Sequence, residues 1–141
     1  ETLVRVLSGL DYSEIGVHDW YVYALARSIG LTWVIGEEPT LEYRQHGGNV
    51  QGANSGSGAR DARMAKLRNG FYRKQFILTA RAAQKIGSFD ECRQRQLRAI
   101  LGELEGQGAA SRLRFALRWR QIRRDPVEGL KLAAARVLGV W

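Results

Sequence analysis

Residues 31–46 run LTWVIGEEPTLEYRQH, and how they are read decides the fold class. Thr32–Ile35 and Thr40–Arg44 are rich in Thr, Trp, Val, Ile and Tyr, side chains that suit a pleated, half-buried surface. Gly36 to Pro39 supply a turn between them. Pro39 argues against a helix through the stretch, because its ring fixes φ and removes a backbone donor. The expectation is a short two-strand element in an otherwise helical chain, an α+β fold.

Working outward, HDWYVYALARSIG (18–30) sets Trp20, Tyr23, Ala24 and Ile29 near helical spacing, with Gly30 where a helix commonly closes. Residues 1–17 give an apolar start (Leu3, Val4, Val6, Leu7), then the turn-prone Gly9 and Asp11, so a short helix or strand end and a loop are expected. On the other side, GGNVQGANSGSG (47–58) is a glycine-rich loop. Beyond it, Met64, Leu67, Phe71, Leu78, Ala82 and Ile86 form one helical stripe that Gly87 and Ser88 end. Ser88 or Asp90 caps a second helix carrying Leu97, Ile100, Leu101 and Leu104. A third covers about 110–124, with Leu113, Leu117, Phe115, Trp119 and Ile122. Asp125-Pro126 opens a last helix, whose stripe is Val127, Leu130, Ala134, Val137 and Leu138.

The 141 residues make one domain's length, and 45% apolar content suffices for a core. The net charge of +8 is unevenly spread. Residues 1–54 hold three basic and seven acidic side chains; residues 55–141 hold nineteen and seven. The glycine loop lies where the balance flips, so the chain divides into 1–54 and 55–141, and the second part expects an anionic partner. A single cysteine, Cys92, excludes an internal disulfide, and two histidines exclude a zinc-finger pattern. No apolar run approaches the roughly 20 residues that span a bilayer. A cytoplasmic location is expected. The first residue is Glu1 rather than Met, and the chain reads as a fragment of a longer protein.

Two short pieces carry chemistry together: HDW (18–20) and LEYRQHGGNVQGAN (41–54). The first puts a carboxylate at a helix start, where it can accept a proton from a nucleophilic hydroxyl. The second delivers a guanidinium, an amide and an imidazole ahead of glycines. Arg clamps phosphate in bidentate fashion, His ligates a divalent metal or donates to a phosphate oxygen, and glycines let backbone N–H groups approach phosphate. The bland alternatives are a helix-capping or first-turn acid for Asp19, a solvated strand-end charge for Arg44, an exposed loop histidine for His46 and a plain linker for the glycines.

HDW paired with YRQHGGN and GAN resembles the C-terminal half of the catalytic domain of family-2 glycosyltransferases of the GT-A type. The likeness is to rhamnosyltransferase-like members that work on bacterial cell-envelope polysaccharides, and it covers roughly residues 10–54. It implies an inverting transferase in which Asp19 is the base that activates the acceptor hydroxyl. It implies donor diphosphate contacts for Arg44, Gln45 and His46, with His46 near the metal, and acceptor contacts for His18 and Trp20. The implied partners are a nucleotide-sugar donor, a glycan or lipid-linked acceptor, and a divalent cation, Mg²⁺ or Mn²⁺. The family's Asp-x-Asp metal motif occurs nowhere in the 141 residues. The cation and the nucleotide are therefore expected to be held mostly by a nucleotide-binding half outside them, and this piece alone is expected to be inactive.

The basic tail has its own reading. SRLRFALRWRQIRR (111–124) interleaves arginines with Leu, Phe, Trp and Ile, the mix used by helices that lie on anionic membranes. Docking on the inner face of the cell membrane is one expectation, and solvated faces of a helical bundle are the bland one. Nucleic acid is not expected, since no helix-turn-helix, RNP or finger motif positions the basic patch. The rival class to the enzyme is a non-enzymatic basic helical module that binds membrane or nucleic acid.

Overall fold

The computed structural model describes residues 1–34, 36, 38, 57–123 and 125–141. Among these there are eight helices and no strand: α1 (Thr2–Ser8), α2 (His18–Ser28), α3 (Ser57–Arg68), α4 (Phe71–Ile86), α5 (Glu91–Glu105), α6 (Ala109–Leu117), α7 (Trp119–Ile122) and α8 (Pro126–Val137).

The α+β expectation, with its two-strand element at the end of a GT-A-type domain, is thereby overturned. Residues 32–34 carry the β-favouring side chains but do not enter a ladder. Trp33 lies edge-on against Tyr23 of α2, ring centroids 5.4 Å apart. An aromatic side chain can cover its apolar surface on a helix as well as on a neighbouring strand, and here tertiary contact overrides propensity. Val34, 83% exposed, gains no such cover. Ile35 and the second expected strand, Thr40–Arg44, lie outside the described residues, as does most of the 47–58 loop.

Two long helices expected from the stripes are each divided. The 64–86 stripe breaks at Gly70, which takes φ +75°, a left-handed conformation that costs glycine little. The 110–124 helix breaks at Arg118, between α6 and α7. The local signals at other helix ends hold. Gly30 follows α2 with φ +83°. The Asp90 carboxylate accepts from the Arg93 backbone N–H (2.8 Å), and the Asp125 carboxylate accepts from those of Val127 (2.8 Å) and Glu128 (3.4 Å), with Pro126 in the first turn of α8.

α4 is central and packs on α2, α3 and α5, while α6 packs on α5 and α8, and α7 on α8. One core cluster joins Ile15, Tyr21, Leu25 and Ala83, with Leu7, Leu10, Leu78 and Phe89 against it. The other gathers Leu104, Phe115 and Trp141 with Phe76, Ile100 and Leu132. A run of rings extends the second cluster to α2: Trp20 meets Phe76 at 5.4 Å, Phe76 meets Trp141 at 6.0 Å, and Trp141 meets Phe115 at 5.1 Å. Such aromatic pairs add attraction beyond their buried area.

Two buried polar side chains fix the joints. Gln75 of α4 accepts from the Gly16 N–H (2.8 Å) and donates to the Glu14 carbonyl (3.0 Å), which anchors the loop leading into α2. Arg136 of α8, 1% exposed, donates to the carbonyls of Glu103, Leu104 and Gly106 at the end of α5, and to that of Trp141. A cation at a helix C-terminus meets unpaired carbonyls and the negative end of the dipole.

Candidate functional site

The first turn of α2 is exposed because Val17 and Tyr21 take the inward positions beside it. His18, Asp19 and Trp20 therefore face outward at the helix start. Asp19 is an acid in the first turn, and α2 has no side-chain cap. Gln75 clamps the loop at Glu14 and Gly16, just ahead of α2, to α4.

Asp19 and Trp20 line a cleft of about 540 Å³ between α2, α3, α4 and α8, whose walls include Tyr72, Phe76, Leu132 and Trp141. They also line an adjoining hollow of about 770 Å³, with Tyr23, Trp33 and Ile122 on its sides. Arg123 and Glu128 border both spaces. The Arg123 guanidinium lies 5.8 Å from the centre of the Trp20 ring, within cation–π range. Lys131 borders the first cleft and pairs with Glu128 at 2.7 Å, which raises the lysine's pKa through that hydrogen bond and charge.

Three carboxylates border these spaces, and two are engaged. Asp125 caps α8, and Glu128 holds Lys131. Asp19 makes no hydrogen bond or ion pair among the described residues.

The expected acceptor contact Trp20 stands beside Asp19, its ring also against Tyr72 at 6.0 Å. His18 opens α2 but lines neither space. Arg44, Gln45 and His46 lie outside the described residues. Among the described residues no group of three or more His, Cys, Asp or Glu side chains is placed to hold a metal. The residues that sequence reasoning missed are Trp33, Tyr72, Phe76, Arg123, Lys131 and Trp141. They come from segments 14 to 122 positions from Asp19, and only packing brings them to it.

With this geometry in hand, the chain can be set beside known proteins. It is similar to a rhamnosyl transferase. Over 128 residues it is 30% identical to the dTDP-rhamnosyl transferase RfbG of Shigella flexneri, a match that takes in 91% of this chain. The chain spans 40% of that protein's length. No family model and no solved structure matches. A match of this extent cannot stop at the HDW segment and must run through most of the helices after residue 57. The matched stretch therefore takes in the whole of α4, which carries Tyr72 and Phe76 of the cleft wall. No helix among the described residues is long and apolar enough to cross a membrane.

Proposed function

We propose that this chain is the acceptor-side part of a glycosyltransferase that moves a sugar from a nucleotide-sugar donor to a cell-envelope glycan or lipid-linked acceptor. Asp19 is the general base. The observation that carries this is the unengaged Asp19 carboxylate in an aromatic-walled cleft. Sugar rings present apolar faces that stack on Trp and Tyr, and hydroxyl edges that need a hydrogen-bond acceptor. Trp20, Tyr23 and Trp33 supply faces, and Asp19 accepts the proton of the attacking hydroxyl as it meets the anomeric carbon from the side opposite the leaving diphosphate. Arg123, over Trp20, offsets negative charge near the cleft.

Arg44, Gln45 and His46 are proposed to reach the donor diphosphate, with Mg²⁺ or Mn²⁺ held by residues outside those described. The similarity to the dTDP-rhamnosyl transferase makes dTDP-rhamnose the first donor to try. Residues 1–54 then carry the base and 55–141 form the basic helical part, which completes the cleft and rests on the inner face of the membrane. The piece alone does not turn over donor.

The test is sugar transfer by the whole protein that contains this chain, with Asp19→Asn against the parent. Loss of a general base lowers the rate by about 10²–10⁴-fold, while circular dichroism stays unchanged because Asp19 is exposed. An Asp19→Asn protein that keeps more than about a tenth of the parent rate refutes the assignment.

A further inference from the structure

On the other side of Trp141 from the Asp19 cleft is a smaller cavity of about 130 Å³. Four arginines line it: Arg68 from the end of α3, Arg73 from α4, Arg112 from α6 and Arg136 from α8. Among the described residues no acidic side chain lines it. Five cations elsewhere among the described residues pair with carboxylates, as in Arg81 with Glu105 (2.8 Å) and Arg118 with Glu103 (2.7 Å). None of these four has such a partner among the described residues.

The four differ in what already occupies them. Arg136 spends its Nη groups on backbone carbonyls, so its charge is partly met by the end of α5. Burial, then Arg73 and Arg112, lower its pKa from the usual guanidinium value, so its neighbours are felt as like charges. Arg73 has one long hydrogen bond, to the Gln107 side chain at 3.4 Å. Arg112 makes none, and its Nε is buried without a partner. A buried donor without a partner is costly, more so on a charged group, and an anion would relieve it. The Arg112 guanidinium lies close over Gly139 (φ +72°), where a Cβ would come within 2.7 Å of its Nη1. Finally, α4 begins at Phe71, and Asn69 and Gly70, just before its positive end, line the same cavity.

We propose that this cavity is a binding site for a phosphate group, with Arg73 and Arg112 as the ligand-facing cations and Arg136 as the buried charge behind them. Its volume of about 130 Å³ leaves room for a tetrahedral oxyanion. Guanidinium forks suit phosphate oxygens in bidentate fashion. The site is separate from the Asp19 cleft and does not depend on the transferase reading. A free phosphate and a lipid phosphate headgroup present the same chemistry, and the two sources are separable by experiment.

Inorganic phosphate is titrated into the chain and followed by the thermal unfolding midpoint and by phosphorus NMR line broadening, with sodium chloride at matched ionic strength as the blank. Phosphate raises the midpoint and broadens the line in the parent. Arg73→Gln and Arg112→Gln each weaken phosphate binding by about tenfold or more, the loss of one charge-assisted hydrogen bond, and leave the unliganded chain no less stable, since each relieves like-charge repulsion. Exposed Arg98→Gln leaves binding unchanged. The proposal is overturned if chloride gives the same rise, if the two variants respond as the parent does, or if phosphate has no effect in either measurement. Vesicles of phosphatidylcholine doped with phosphatidic acid, against equal charge as phosphatidylglycerol, assign the source. A preference for the monoester headgroup that Arg112→Gln removes points to lipid, and equal binding of the two points to a soluble phosphate.

Discussion

The two joints of this molecule are built from opposite materials. Under the Asp19 cleft, Gln75 ties a loop to α4 with a neutral amide that has both an acceptor and a donor satisfied. Under the C-terminal helices, Arg136 ties α8 to the end of α5 with a full charge that has carbonyls but no carboxylate, and an unpartnered Nε. Each joint positions the cavity beside it. The neutral one holds an acid among aromatic rings, and the charged one gathers further arginines. A neutral, fully paired joint asks nothing of a ligand, whereas a charged joint without a counter-ion leaves potential for an anion to meet.

The comparison is sharpest in stability. Arg136→Met removes donors from four carbonyls, those of Glu103, Leu104, Gly106 and Trp141, in one substitution. Buried acceptors left unpaired cost about 1–3 kcal/mol apiece, offset in part by losing a desolvated charge, so a net loss of about 3 kcal/mol is expected in urea unfolding. Gln75→Leu strands one N–H and one carbonyl and is expected to cost about 2 kcal/mol, with faster hydrogen exchange at Gly16. If Gln75→Leu proves the costlier, or Arg136→Met is neutral, the contrast between the joints is lost.

A second prediction bears on the charged side alone. Gly129 is buried where α8 crosses α7, and a Cβ there would sit 2.3 Å from the Trp119 carbonyl oxygen. Helix propensity favours alanine over glycine by about 1 kcal/mol, whereas forcing a methyl against backbone costs about 1–3 kcal/mol. Close approach wins this balance, and Gly129→Ala is expected to lower stability by about 1–2 kcal/mol net. A gain in stability would mean that α7 and α8 separate easily and that the Arg123 edge of the cleft is not fixed by them.

What the sequence disclosed follows the range of the interactions. Caps act over three residues, so Asp90, Asp125-Pro126 and the Gly30 stop were legible as written. Asp19 and Trp20 were singled out at a helix start, and the structure sets both on a cleft, though Arg44, Gln45 and His46 lie outside the described residues. The strand at Thr32 was misread because propensity cannot register that Trp33 finds Tyr23. The α8 stripe misled in another way. Val127, Leu130, Val137 and Leu138 are exposed, and the buried edge is Gly129, Ala133 and Arg136, residues that on a helical projection look like the wet side. Arg136 could not be read as a core residue, because its acceptors on α5 lie 30 to 33 positions earlier.

The smallest expected effect on stability concerns the face that neither joint buries. Leu113 and Leu117 of α6 are 57% and 74% exposed, beside Arg114, while Phe115 of the same helix is buried. Phe115, one of the apolar residues that suggested a membrane-facing helix, is thus in the core, and these two leucines remain to meet lipid. Leu113→Ser with Leu117→Ser should change unfolding stability by no more than about 0.5 kcal/mol per site, as exposed substitutions do. If α6 docks on an anionic membrane, the same pair removes most of the apolar contact. Burying a leucine is worth about 1.5–3 kcal/mol, so flotation with phosphatidylglycerol vesicles should weaken by about tenfold or more, while neutral vesicles bind neither protein. Equal flotation of parent and variant would remove α6 from the membrane surface and leave its arginines to the cavity behind it.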